Sequence, residues 1–142
     1  MTRRYTYCLL GTVITAALSA ATPSEAEMIS IFNWNDYTGK TTQEDFTRTT
    51  GIETNYDVYD SLETLEQKIL AGRSGYDIIV PSSEPTLSRF IRTGAVRKLD
   101  KSKIPNLAKQ DPKLLKQLEA TDPGNQYAAI YQWGTVGIGI VP

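Results

Sequence analysis

Two short segments hold the side chains best suited to ligand chemistry. Trp34-Asn35-Asp36-Tyr37 offers two aromatic faces, an amide and a carboxylate, and Pro81-Ser82-Ser83-Glu84 offers two hydroxyls and a second carboxylate. That mixture suits an organic cation. Trp34 and Tyr37 can present ring faces to an ammonium group or pack against methylenes. Asp36 can accept charge-assisted hydrogen bonds, and Asn35 and Ser82 can take the remaining ammonium hydrogens. A structural role fits the same residues equally well, with Trp34 packed in a core at a strand end and Asp36 closing a turn. Ser83 and Glu84 rank behind the others, because Glu84 also suits the first turn of a following helix, where a carboxylate answers the dipole.

Other chemistries find little support. There is no histidine, which removes the commonest general base and the commonest metal ligand together. The single cysteine, Cys8, lies near the N-terminus and excludes a disulfide framework or a cysteine cluster. No Gly-x-Ser-x-Gly elbow occurs, and Gly134-Thr135-Val136-Gly137-Ile138-Gly139 matches neither a phosphate loop nor a dinucleotide fingerprint. Carboxylate pairs such as Asp57 and Asp60 are not placed across a cleft by any pattern. No catalytic residue, metal ligand or cofactor is therefore assigned. Formal charge is only −1, and the densest basic group, Arg97, Lys98, Lys101 and Lys103, is broken by Asp100. A solvated face explains it, and nucleic acid is excluded as a partner.

Both candidate segments need strands to place them. Met28 to Trp34 is rich in β-branched and aromatic residues and reads as a strand. Thr41-Thr42-Gln43-Glu44 has capping-box spacing, with Thr41 as N-cap and Glu44 reaching back, and the helix it opens ends at Gly51. Ile52 to Val58 alternates as a second strand ending near Tyr59. Asp60 or Ser61 caps a second helix, whose apolar stripe is Leu62, Leu65, Ile69 and Leu70 and whose end is Gly72. Tyr76 to Val80 is a short strand stopped by Pro81, and Ile78-Ile79-Val80 fits a strand covered on both faces. A third helix runs from about Glu84 to Thr93, stopped by Gly94.

The order β-α-β-α-β predicts an α/β lobe, a mainly parallel sheet with helices on both faces joined by right-handed crossovers. Ligands in such sheets collect at the carboxyl ends of the strands, where both candidate segments stand. The stretch Leu99 to Pro123 is punctuated by Pro105, Pro112 and Pro123, with a short helix around Lys113–Glu119. Tyr127 to Tyr131 and Trp133 to Val141 read as further strands, the second containing Gly134, Gly137 and Gly139. Tyr56, Tyr59, Tyr76, Tyr127 and Tyr131 are read as packing residues, whereas Trp133 stands out for introducing the glycine-containing strand.

Residues 1–26 read as a secretory signal. Arg3 and Arg4 form a positive n-region, and the apolar stretch Cys8 to Leu18 is too short and interrupted for a membrane span. Ser24-Glu25-Ala26 and Ser19-Ala20-Ala21 both fit a small-x-small cleavage site, and cleavage after Ala26 leaves the first strand intact. Cys8 precedes the apolar run, which argues against a lipid anchor. Removing Arg3, Arg4 and Glu25 lowers the formal charge from −1 to −2. The mature chain, residues 27–142, is expected to be periplasmic, soluble, cysteine-free and without stable membrane insertion.

Five segments, taken in order, carry a family likeness. Ile31-Phe32-Asn33-Trp34-Asn35-Asp36-Tyr37, Thr50-Gly51-Ile52, Tyr76-Asp77-Ile78-Ile79-Val80-Pro81-Ser82, Leu99-Asp100-Lys101-Ser102-Lys103 and Trp133-Gly134-Thr135-Val136-Gly137-Ile138-Gly139 resemble the bacterial putrescine/spermidine-binding proteins. Asp57-Val58-Tyr59-Asp60-Ser61 points to the putrescine-preferring branch. The resemblance implies a periplasmic-binding-protein-like (type II) fold and a solute-binding protein, not an enzyme. Such a protein captures a polyamine, putrescine first and spermidine next, and delivers it to an ABC permease in the inner membrane. By motif match, Trp34, Asn35, Asp36, Tyr37 and Ser82 are its first-lobe ligand contacts. Family members often carry a smaller residue at Glu84, and one extra residue falls between Ser82 and Gly94.

Family members are also much longer, so the chain is expected to be an N-terminal lobe without the second lobe that closes the site. Two alternatives follow. One is a polyamine-sensing partner of a membrane signalling protein, separable from transport by gene neighbourhood. The other is a truncated remnant that binds no polyamine, which micromolar affinity in a calorimetric titration rules out. A lone lobe leaves a dication half solvated, and its exposed sheet favours aggregation.

Overall fold

The structure is a computed structural model that describes residues 27–134 and 137–139. The signal segment 1–26 and part of the strand expected over 133–141 lie outside the described residues.

Three parallel strands form the sheet: β1 (Met28–Trp34), β2 (Glu53–Tyr59) and β3 (Ile78–Ile79), in the order β2-β1-β3. β1 pairs with β2 along its whole length, from Met28 with Glu53 to Trp34 with Tyr59. It pairs with β3 through Ile31 with Ile78 and Phe32 with Ile79. β3 is shorter than expected, although Asp77 N–H donates to the Ser30 carbonyl (2.8 Å) and Val80 N–H to that of Phe32 (3.1 Å). At its entry the Asp77 carboxylate takes the Ser30 N–H (2.9 Å), replacing one rung of the ladder.

Helix α1 (Thr42–Thr50) joins β1 to β2, and α2 (Leu62–Leu70) joins β2 to β3. The first connection steps from β1 outward to β2 and the second returns the other way, across β1 to β3, so right-handed crossovers place α1 and α2 on opposite faces. Ser61 caps α2 by accepting from Thr64 N–H at 3.2 Å. The capping box expected at Thr41 does not form. Asp45 lies one turn on, and the Thr41 hydroxyl donates to its carboxylate (2.9 Å) instead of accepting from the helix. Gly51 and Gly94 end their helices with φ of 76° and 70°, the left-handed conformation that only glycine adopts without cost.

The core lies on one face of the sheet. Phe32, Tyr59, Leu65, Ile69 and Phe90 are buried together, with Trp34, Leu62, Tyr76, Ile79 and Val96 packed around them. Side chains alternate across a strand, so Phe32 and Trp34 share this face with their register partners Ile79 and Tyr59. The opposite face is less covered: α1 has no buried residue, and Val58 and Ile78 remain 51% and 47% exposed. The expectation that the third strand is covered on both faces is corrected accordingly.

The third helix also begins later than expected. An irregular turn, Ser83–Leu87, precedes α3 (Ser88–Thr93), and Glu84 is extended (φ −119°, ψ 140°). The residue before a proline is pushed out of the helical region, and Pro85 follows. Short 3-10 turns at Lys101–Lys103 and Pro105–Lys109 lead to α4 (Pro112–Leu118), capped by Asp111 through Lys113 N–H (2.7 Å).

Tyr127 to Tyr131 is not a strand. Its backbone donors go to side chains: Tyr127 and Ala128 N–H to the buried Asp122 carboxylate (2.8 and 3.0 Å), and Ile130 N–H to Gln110 (3.2 Å). Groups satisfied in this way are not free to build a ladder. The described part of 133–141 likewise forms no strand.

Candidate ligand-binding site

The sheet brings the two candidate segments side by side. β1 and β3 are hydrogen-bonded neighbours, so Trp34-Asn35-Asp36-Tyr37 and Pro81-Ser82-Ser83-Glu84 leave adjacent strands at their carboxyl ends.

Asn33 sets the first exit. It is buried, its amide oxygen accepts from Trp34 N–H (2.7 Å), and its amide nitrogen donates to the Tyr56 hydroxyl (2.8 Å). Trp34 is half-buried, with its ring tilted against Tyr59 (centroids 4.6 Å) and 6.1 Å from Tyr37. It therefore packs on the core, as its structural reading expects, and lies next to Tyr37 at the strand's exit. Asn35 N–H closes the ladder on the Tyr59 carbonyl (3.1 Å). Asp36 then turns the chain with φ 61°, a left-handed conformation that Asp tolerates better than most residues. Asn35, Asp36 and Tyr37 are exposed, and none of the ion pairs among the described residues involves Asp36.

The second exit is held by Tyr59. Its hydroxyl donates to the Val80 carbonyl, immediately before Pro81. Burial pushes the Tyr59 phenol above its ordinary range, and nearby Tyr37 adds to the shift, so at neutral pH the group is a fixed donor. Ser82 is half-buried, its carbonyl accepts from Leu87 N–H (3.1 Å), and its hydroxyl makes no capping bond. Ser83 is exposed.

Glu84 is exposed but occupied. One carboxylate oxygen accepts from the Ser88 hydroxyl and the other from the Thr121 hydroxyl, each at 2.8 Å. These two bonds hold its pKa below the usual carboxylate value, against a small opposing effect of burial and with help from the Arg92 charge. Glu84 thus neither opens a helix nor keeps its carboxylate free.

A third segment joins the site. The Tyr131 hydroxyl donates to the Tyr37 carbonyl, and Tyr131 is 54% exposed. Sequence reading treats Tyr59 and Tyr131 as packing residues. Their bridging hydroxyls leave no mark in a pattern of alternating aromatics, which packing explains equally well. Trp133 is 73% exposed.

The assembled surface is open. A cavity of about 370 Å³ lies elsewhere, lined by Ile104, Leu107, Leu115, Asn125 and others, and none of the candidate residues borders it. Among the described residues no cluster of three or more metal-binding side chains occurs, and no helix is long and apolar enough to cross a membrane. The arrangement can set ring faces, one unpaired carboxylate, an amide and a hydroxyl against a small cation.

No family model matches the chain. It is 44% identical over its whole length to the putrescine-binding periplasmic protein SpuD of Pseudomonas aeruginosa, of which it spans 39%. It is also 44% identical, over 82% of the chain, to the putrescine-binding periplasmic protein PotF of Escherichia coli, of which it spans 31%. The chain thus spans about a third of the length of the curated relatives it matches. Among solved structures, the spermidine/putrescine ABC transporter substrate-binding protein PotD of Streptococcus pneumoniae superposes with a TM-score of 0.67 at 33% identity, over 71% of this chain and 30% of that one. The TpPotD lipoprotein of Treponema pallidum gives 0.68 at 31% identity, over 72% of this chain and 32% of that one. The three-stranded parallel sheet with its helices is part of an α/β lobe of the periplasmic-binding-protein kind. Over the third of their length that it matches, the chain is similar to bacterial periplasmic putrescine-binding and spermidine/putrescine-binding proteins.

Proposed function

We propose that the chain takes part in capturing a polyamine in the periplasm, putrescine first and spermidine next, for delivery to an ABC permease of the inner membrane. The observation that carries this reading is the convergence of the Trp34–Tyr37 and Pro81–Ser82 exits on adjacent parallel strands, with the Asp36 carboxylate outside every ion pair of the described residues. The relatives' names supply the ligand class.

In this reading Asp36 takes one ammonium end by charge-assisted hydrogen bonds, and Asn35 and Ser82 accept its remaining hydrogens. Trp34 and Tyr37 pack on the methylenes and present ring faces to the charge. Ser83 is a peripheral contact at most, and Glu84 acts on the protein and not on the ligand. The chain catalyses nothing: its role is binding and release. Residues 1–26 direct export and are removed before residues 27–142 fold, a boundary that the mass of the periplasmic product tests directly.

Affinity is modest on these contacts alone. One charge-assisted hydrogen-bond set contributes about 2 kcal/mol and two exposed cation–π contacts about 1 kcal/mol each. The total, about 4 kcal/mol before the cost of association, limits the dissociation constant to no tighter than the order of 1 mM. A chemical-shift titration of the exported chain with putrescine therefore suits the range better than calorimetry. Shifts confined to residues 34–37 and 81–84, about ten-fold weaker in Asp36→Asn and absent with 1,4-butanediol, are the expected result. A folded chain whose spectrum does not respond to 20-fold more putrescine than about 1 mM refutes the proposal.

A further inference from the structure

The geometry points to Glu84 as a positioning residue that holds a third wall against the polyamine-facing surface, through Thr121 and the loop that ends at Tyr131. The inference rests on the proposed function for its ligand but on independent contacts for its mechanics. Glu84 sits two residues beyond Ser82, in the loop that leaves β3. Its carboxylate takes the Ser88 hydroxyl with one oxygen and the Thr121 hydroxyl with the other, both at 2.8 Å. Ser88 is local, four residues on, and fixes the direction of the carboxylate. Thr121 is 37 residues away, so this bond joins the β3 exit to the loop that begins at Thr121, a loop that Leu99 N–H also holds at the Gln126 carbonyl (2.8 Å).

What lies beyond Thr121 gives the tether its consequence. Asp122, the next residue, is fully buried and gathers the backbone N–H groups of Gln126, Tyr127 and Ala128 at 2.9, 2.8 and 3.0 Å. Those bonds make residues 122–128 a single folded loop. Gln110 then holds both backbone groups of Ile130, accepting from its N–H (3.2 Å) and donating to its carbonyl (2.7 Å). The chain leaves this frame at Tyr131, whose hydroxyl reaches the Tyr37 carbonyl. Glu84 is thus anchored in one site loop, and the segment it grips ends on the other. A displacement of Thr121 moves the ring of Tyr131, which is exposed and can face a ligand lying on Tyr37.

Two carboxylate oxygens serving two hydroxyls also explain why a larger acidic residue stands here. Serine or alanine in this position could not span from the β3 exit to Thr121, and a glutamine could accept at one oxygen only.

The test uses the exported chain in six forms: wild type, Glu84→Ala, Thr121→Val, Thr121→Ser, Tyr131→Phe and the Thr121→Val/Tyr131→Phe double variant. Tyrosine-labelled spectra read the proximity of the Tyr131 ring to the Tyr37 backbone without any ligand, and circular dichroism checks that each form is folded. Wild type and Thr121→Ser are expected to keep the ring beside Tyr37, and Glu84→Ala and Thr121→Val to release it. Putrescine affinity should fall about five-fold in Glu84→Ala, Thr121→Val and Tyr131→Phe, and the Thr121→Val/Tyr131→Phe double variant should fall no further. A Tyr131–Tyr37 proximity unchanged in both Glu84→Ala and Thr121→Val overturns the tether. Release of the Tyr131 ring in those variants with putrescine affinity unchanged overturns the wall. A wild-type chain that binds no putrescine sinks the proposed function and the wall with it, while the ring position still decides the tether.

Discussion

Replacing Tyr59 by phenylalanine removes one oxygen and separates what Tyr59 does as a ring from what it does as a hydroxyl. The ring is buried between Phe32 (centroids 4.9 Å, edge-on) and Trp34 (4.6 Å), and phenylalanine keeps both contacts. The hydroxyl donates to the Val80 carbonyl, reaching from β2 across β1 to the exit of β3. A net hydrogen bond contributes about 1 kcal/mol, and an abandoned buried carbonyl costs about 1–3 kcal/mol. Val80 is only half-buried, so water can replace part of the lost bond, and the loss should stand near the lower figure, about 1 kcal/mol. With a urea slope of about 1–3 kcal/mol per molar, the midpoint falls by roughly 0.3–1 M at constant slope. Tyr59→Leu gives up the two aromatic pairings as well and should cost about 2 kcal/mol more. The pH dependence supplies a second readout. Burial raises the Tyr59 pKa above its ordinary value of 10.0, so its contribution is fully present below pH 10 and declines as the pH rises further, when the unfolded phenol ionises first. Tyr59→Phe should flatten that alkaline decline. If urea midpoints of wild type and Tyr59→Phe coincide and their alkaline limbs run parallel, the hydroxyl does not hold β3 at its exit.

Three further outcomes are expected. Asp122→Ala removes a fully buried carboxylate, leaves three part-buried backbone N–H groups without their partner and should cost about 3 kcal/mol in urea unfolding, with faster amide exchange at Gln126, Tyr127 and Ala128; unchanged exchange there refutes the loop's frame. Phe90→Ala, at a site with no exposed surface, should cost about 3–5 kcal/mol, and a loss below about 1 kcal/mol means that α3 does not close the core. Glu84 is held below the ordinary carboxylate value of 4.5 by Ser88 and Thr121, so its contribution is present above pH 4.5 and is lost as the pH falls through the lower folded value. Acid unfolding of Glu84→Gln should therefore be shallower below pH 4.5 than that of wild type, and superimposable acid limbs refute the carboxylate's role.

The parts of the fold that sequence anticipates are those fixed by local rules. The strand Met28–Trp34 follows from its β-branched and aromatic run, and Gly51, Gly72 and Gly94 stop their helices because a positive φ is nearly free for glycine alone. The position of both candidate loops follows from strand order, since parallel neighbours must release their chains on the same edge. What escapes is decided by competition at a distance. Thr41 has the spacing of a cap, yet Asp45 takes its hydroxyl, because a nearby carboxylate is a stronger acceptor than the geometry of a capping box presumes. Tyr127–Tyr131 has the composition of a strand, yet Asp122 and Gln110 satisfy its backbone before any strand can. Glu84 reads as a helix opener because its neighbours are local, while its decisive partner, Thr121, is 37 residues off. In each case the deciding group is a polar side chain whose reach crosses the chain, and periodicity carries no record of it. The site inherits that division. Its aromatic and acidic residues stand where strand order puts them, but the hydroxyls of Tyr59, Thr121 and Tyr131 that join its three segments leave no mark in the sequence pattern.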